Sequence, residues 1–246
     1  MPSLPRPTAS RLLAGIAGLA LLAGGCGSSG GSRTTTTPLT SLPVSTTSPP
    51  PGPTQLQSIV VQADDLPAGW VARPAAVPAD ANAAAAAFAQ CVGVPNTTGD
   101  KVAVAYAPDF VKGTTYISST ASSFKSPVDV QGDTSGLTNA KASDCFLQEI
   151  KSRLTAVAPK GVAVKSATLK ITPGTGGGPA NVVATATGSI TFTNAGKTST
   201  LNEYLVFFIA PRIEAHVDFF SVGSAIPASV RTAVLNKVSA RVQNGS

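Results

Sequence analysis

The chain has 246 residues, with 18 basic and 12 acidic side chains and a formal charge of +6. Charged residues make up only 12% of it, where about a quarter is usual for a soluble domain. Its lysines and arginines are scattered, with no run or stripe, which excludes the basic footprint of a nucleic-acid binder.

In chain order, Arg6 and Arg11 precede an apolar run from Leu12 to Leu22. That run has the length of a signal-peptide core and is too short to span a bilayer as a mature helix. Small residues and a cysteine follow, Ala23-Gly24-Gly25-Cys26, directly after Leu22. The stretch resembles a bacterial lipobox. The resemblance implies that residues 1–25 are a lipoprotein signal peptide, that Cys26 is diacylated on sulfur, and that cleavage makes it the first residue of the mature chain. An ordinary secretory signal, with Cys26 incidental, is the alternative. Loss of Arg6 and Arg11 leaves 16 basic against 12 acidic residues, a formal +4. After this run no apolar segment approaches the ~18 residues of a spanning helix.

Residues 26–55 form the lipidated N-terminus and a tether. Thr34-Thr35-Thr36-Thr37-Pro38 and Thr46-Thr47-Ser48-Pro49-Pro50-Pro51 leave little apolar surface to offset ordering entropy. Early glycine and serine supply slack, and later proline supplies stiffness. At full extension the tether reaches on the order of 90–100 Å, which holds a folded domain clear of a membrane face. Its Thr/Ser-Pro composition resembles O-glycosylated stalks. Gly27-Ser28-Ser29-Gly30-Gly31 fits G-x-S-x-G in letters only, because a nucleophile elbow needs a strand before it and a helix after it.

Residues 56–243 read as a single domain. Leu66-Pro67 is extended, and Pro67-Ala68-Gly69 forms a turn that delivers Trp70, the sole tryptophan, inward. Asp80 caps a helix over 81–92, with Phe88, Cys91 and Val92 on one side. Strands follow at 101–106 and 114–124, and then a loop with one turn of helix at 126–138, broken by Pro127, Gly132 and Gly136. A central helix over 140–158 carries Leu147, Ile150, Leu154 and Val157 as its apolar face. Four strands then form a meander at 162–171, 182–193, 201–209 and 213–222, with a glycine-rich mobile turn at 173–179. A last helix begins at Pro227, with Val230, Val234, Val238 and Val242 laid across the sheet. The fold class is α+β, an antiparallel sheet of about five to seven strands with two or three helices packed on it. In an exported domain the even pair Cys91 and Cys145 is most simply one structural disulfide linking helices; two free thiols are the alternative.

Little in the chain is equipped for chemistry. His216, the sole histidine, shares a strand face with Glu214 and Asp218 by alternation. We read this as the solvent face of an antiparallel strand. The alternative is a small His/carboxylate site for a metal or for proton transfer, yet zinc wants three protein ligands or more and the chain offers no clear third. A serine hydrolase would have only His216 as its base. Leu205, Phe207 and Ile209 share one face of their strand, and Phe219-Phe220 places a ring on each side. A strand apolar on both faces is covered on both or lines a cavity.

Lipobox, Thr/Pro tether, Asp65-Leu66-Pro67-Ala68-Gly69-Trp70, a cysteine in an early helix and another in the central helix, long antiparallel strands and a final helix together resemble actinobacterial, mycobacterial-type cell-envelope lipoproteins. More loosely, they are similar to the extracellular sensor domain of PknH-type serine/threonine kinases, an antiparallel sheet with helices and disulfides around a cleft. The resemblance implies binding rather than catalysis, and it places no catalytic residue. The expected protein is thus lipid-anchored on the extracytoplasmic face of the cell membrane, not an enzyme, and needs no cofactor or metal. Its expected partners are the membrane, through Cys26, and an envelope lipid, glycan or protein at a site including Trp70, Phe207, Phe219 and His216. A purely structural or protein-interaction module is the second reading, and an enzyme using His216 the third.

Overall fold

The computed structural model describes residues 49–77, 81–157, 162–174, 181–194 and 196–245. The signal run, Cys26, most of the tether, Asp80 and most of the glycine-rich turn lie outside them.

Among the described residues eight strands form one antiparallel sheet. They are β1 (Val71–Arg73), β2 (Lys101–Tyr106), β3 (Asp109–Lys112), β4 (Thr115–Phe124), β5 (Val162–Pro173), β6 (Val182–Asn194), β7 (Lys197–Ala210) and β8 (Ile213–Val222). The order is β1-β3-β4-β8-β7-β6-β5, with β2 pairing the far half of β4. Among the described residues five α-helices cover it: α1 (Pro53–Ile59), α2 (Ala81–Val92), α3 (Pro127–Ser135), α4 (Ala142–Val157) and α5 (Ala228–Asn244). The α+β class expected from the sequence therefore holds. The elements beyond the expected number are the short β1 and β3, and the helices α1 and α3.

Each departure has a local cause. Residues 126–138 are helical rather than mostly loop because Ser126 and Asp129 close a capping box: the Asp129 backbone N–H donates to Ser126 Oγ, and the Ser126 N–H donates to Asp129 Oδ2 at 2.9 Å. Pro127 occupies the first turn, where its missing N–H costs nothing. Helix α1 starts at Pro53 and sinks Leu56 and Ile59 into the core. On α4 the buried stripe among the described side chains is Ala142, Cys145, Phe146 and Ile150, and the side chains of Leu154 and Val157 lie outside them. Leu147, expected inside, is only half-buried.

The sheet separates two cores. On one face Phe88 and Val92 of α2 and Cys145, Phe146 and Ile150 of α4 pack over Ala186, Ile190, Leu205, Phe207 and Phe220. On the other, α1 and the Val234, Val238 and Val242 ridge of α5 pack over Ile117, Phe208, Ala215, Val217 and Phe219. The α5 stripe is thus as its four-residue spacing requires. Trp70 is half-buried against this second core. Its stretch is held by Gly69, whose φ of 96° suits glycine, and by Lys112 Nζ donating to the Ala68 carbonyl at 3.1 Å. Asp65 clasps the two chain ends of the domain together. Its buried carboxylate accepts from Arg241 Nη1 at 3.0 Å and from the Gln62 N–H at 2.8 Å, and Lys237 Nζ lies 3.6 Å away.

β5 is an edge. It is largely exposed, bulged between Val164 and Ser166, studded with exposed Lys165 and Lys170, and ended by Pro173.

Cys91 and Cys145 are bonded, with Cα atoms 5.8 Å apart, and the bridge staples α2 to α4 beside the edge-to-face pair Phe88–Phe146 at 6.0 Å. The closed loop spans a separation of 54 residues, which the chain-entropy model values at roughly 4 kcal/mol. Replacing both cysteines with alanine is expected to lower unfolding free energy by about that amount in urea titration; a loss under ~1 kcal/mol would show that α2 is held by packing alone.

Candidate functional site

The polar residues of β8 set the site. Alternation puts Glu214, His216 and Asp218 on the face that α2, α3 and α4 cover, so this face is not solvent. Glu214 is 6% exposed, His216 3% and Asp218 0%. The expectation of a solvent face fails because alternating polarity marks the two sides of a strand without saying what lies over either. Across the β7–β8 hairpin, His216 stands opposite Phe207, with ring centroids 5.9 Å apart, and Asp218 stands opposite Leu205.

Two polar clusters result. In the first, Lys101 from the start of β2 reaches inward, its side chain 4% exposed and its Nζ 5.1 Å above the centre of the Phe124 ring. Its Nζ is 3.3 Å from Asp133 Oδ2 on α3 and 4.0 Å from Glu214 Oε2. The Thr97 hydroxyl donates to Asp133 Oδ1. Burial pushes Asp133 up, but hydrogen bonds from Glu214 and Thr97 and the Lys101 charge hold it below the usual carboxylate range. Glu214 is driven the other way, by burial and by the Asp133 charge. The two carboxyls therefore share one proton, held by Glu214, while Lys101 balances Asp133. Burial lowers His216 to about 3, so its imidazole is neutral.

In the second cluster, Glu203 and Asp218 are diagonal neighbours on the same face. Burial raises Glu203 to about 7. Burial and then the Glu203 charge raise Asp218. Neither Asp218 oxygen has a well-formed hydrogen bond, so burial favours the protonated form of both groups. Among the described residues no three histidine, cysteine or acidic side chains converge to hold a metal.

The carboxyls of the first cluster line a cleft. Ala85, Phe88 and Ala89 of α2 line it on one side, with Val94, Pro95, Asn96 and Leu137 beside them and Asp133, Phe207 and Glu214 completing the lining. Its water-accessible volume is about 30 Å³, room for very few atoms. Glu214 Oε2 is buried there without a hydrogen-bond partner.

The four residues expected to bind together are divided. Phe207 lines this cleft and His216 lies against it in the sheet, whereas Phe219 and Trp70 belong to the opposite core. A single pocket between Phe207 and Phe219 is excluded by the sheet itself. Lys101, Asp133, Thr97 and Glu203 were not foreseeable as site residues from spacing alone. Asp133 falls where Pro127, Gly132 and Gly136 predict a loop, and Lys101 opens its strand as an exposed lysine would.

The arrangement defines a two-core α+β domain with a small acid-lined cleft. No family model matches the chain, and no curated protein does. A solved structure it matches is the extracellular domain of PknH from Mycobacterium tuberculosis, at 12% identity over 78% of this chain and 97% of that one, with a TM-score of 0.37. That likeness is too distant to transfer any residue's role.

The carboxyls have a signature in pH. Glu203, Glu214 and Asp218 bind protons more tightly folded than unfolded, so their contribution is full below the unfolded carboxylate range and is lost as pH rises. His216, lowered to about 3, acts oppositely: its contribution is full above its unfolded value and is lost on acidification toward 3. The two trends oppose each other between about 4.5 and 6.5, and above that only the carboxyls act. Calorimetry should therefore show melting temperature falling from pH 6.5 to 8. Glu203→Gln should flatten that fall, removing about 1 kcal/mol of the pH dependence between pH 6.5 and 8; an unchanged slope would show that Glu203 does not titrate in the fold.

Proposed function

We propose that this chain is a lipid-anchored lipoprotein of the cell envelope, whose extracytoplasmic domain binds or senses a ligand without transforming it. The N-terminal stretch ending in Cys26 supports the anchor. The Cys91–Cys145 bridge supports an oxidising compartment. No helix among the described residues is long and apolar enough to cross a membrane, so attachment in this reading rests on the acyl chains and the tether.

The observation that carries the binding role is the cleft, whose lining includes Glu214, a residue with one buried carboxyl oxygen that has no hydrogen-bond partner. Buried polar atoms in folded proteins are satisfied, and exceptions call for an explanation. A ligand group that supplies the missing partner is that explanation. Catalysis through His216 has less support, because the imidazole is enclosed beside Phe207, is held neutral, and does not line the cleft. The size of the cleft also weighs against a whole lipid or sugar ring inside it, and favours one small group of a larger envelope molecule.

Radiolabelled palmitate should enter the protein in its own cell and fail to enter a Cys26→Ser variant. Equal labelling of the two, or none of either, would remove the anchor. Native mass spectrometry of protein purified from its envelope should then show a bound species that is lost on denaturation.

A further inference from the structure

We infer that the cleft beneath α2 receives an ammonium group carried on an aliphatic stem, such as a lysine side chain or an alkyl diamine, with the head against Asp133 and Glu214. This rests on the reading of the cleft as a binding site and adds the chemistry of its ligand. Three observations select that chemistry.

The first is charge. Of the three polar side chains lining the cleft, Asp133 and Glu214 are carboxyls and Asn96 is an uncharged amide whose Oδ1 is taken by the Thr98 N–H and hydroxyl; Lys101 does not line it. An entering anion would face two carboxyl groups, whereas an entering cation meets acceptors on the lining and a charge of its own sign only outside it, at Lys101, which already neutralises Asp133. Lys101 balances Asp133 at 3.3 Å, and Glu214 is kept uncharged by its proton. An ammonium head takes the place of that proton. The ligand N–H donates to the freed Glu214 carboxylate, the proton leaves to solvent, and two carboxylates then stand against two ammonium groups. Charge balances before and after.

The second is size. About 30 Å³ accommodates a head about as large as a water molecule, which –NH₃⁺ is and a carboxylate or phosphate is not. The third is the wall. Ala85, Val94, Pro95 and Leu137 are apolar and suit a methylene stem, and the Phe88 and Phe207 rings at the cleft attract a cation.

The test titrates the full mature chain with n-butylammonium chloride, sodium butyrate and n-butanol, by calorimetry in two buffers of different ionisation enthalpy. We expect n-butylammonium to bind, to release about one proton per molecule, and to bind more tightly as pH rises from 6 to 8. Ala85→Leu, which fills the throat and leaves both carboxyls in place, should abolish binding. Glu214→Gln should weaken it at least about tenfold and abolish proton release. Should Glu214→Gln not fold, proton release by the unaltered chain and the effect of Ala85→Leu decide alone. Binding of butyrate or butanol instead, blocked by Ala85→Leu, overturns the ammonium assignment and leaves the cleft a binding site. Failure of all three probes to bind, or binding indifferent to Ala85→Leu, overturns both readings.

Discussion

The structure depends on the sealing of β8 from both sides. Nine of its ten residues are buried, because α1 and α5 close one face of the sheet and α2, α3 and α4 close the other. The apolar set Ile213, Ala215, Val217 and Phe219 belongs to one core. The other set carries Glu214, His216 and Asp218 into a second core that is otherwise Leu205, Phe207 and Phe220. Burying an ionised carboxylate without compensation is far costlier than leaving it protonated. The sheet therefore fixes the protonation of its acids, and at one point draws in a lysine to balance them. A buried pair of this kind is poor evidence for stability, which is why a role beyond stability is the more economical reading.

That polar seam lies under the lightest part of the cover. The buried face of α2 is mostly alanine, Ala81, Ala84, Ala85 and Ala89, with Phe88 and Val92 as its larger contacts. Methyl groups bury little area, so such a helix gains little from the hydrophobic effect. The bridge to α4 supplies what the alanines lack. Small side chains over Glu214 are also what leaves a throat there, since larger ones would fill it. The covalent staple and the cleft are two results of one local composition.

Much of the frame was legible in the chain. The long strands from 182 to 222, the valine stripe of α5 and the helix at 81–92 follow from period and propensity with no tertiary information. The cysteine pair was legible from count and compartment. The site was not, for a definite physical reason. Polar alternation at 214, 216 and 218 has the same form whether water or a helical layer lies above it. The disambiguating signal was in the neighbouring strand: a tight connection at Pro211 sets Phe207 opposite His216 and Leu205 opposite Asp218, and apolar cross-strand neighbours do not belong on a wet face. The capping box at Ser126 and Asp129 was likewise written in the chain, but glycines at 132 and 136 concealed it, and with it the placement of Asp133.

The outer margin of the sheet bears on how such a molecule behaves in company. Under the proposed anchoring by acyl chains, neighbours are confined to two dimensions, where encounters between copies are frequent and similarly oriented. A long open strand is then a template for sheet-to-sheet growth. On β5 two ammonium side chains repel a second copy, the bulge at Val164 and Ser166 breaks the register it would need, and Pro173 withholds a donor at the end. The same strand that closes the fold thus discourages it from continuing into the next molecule, and crowding on a surface need not become polymerisation.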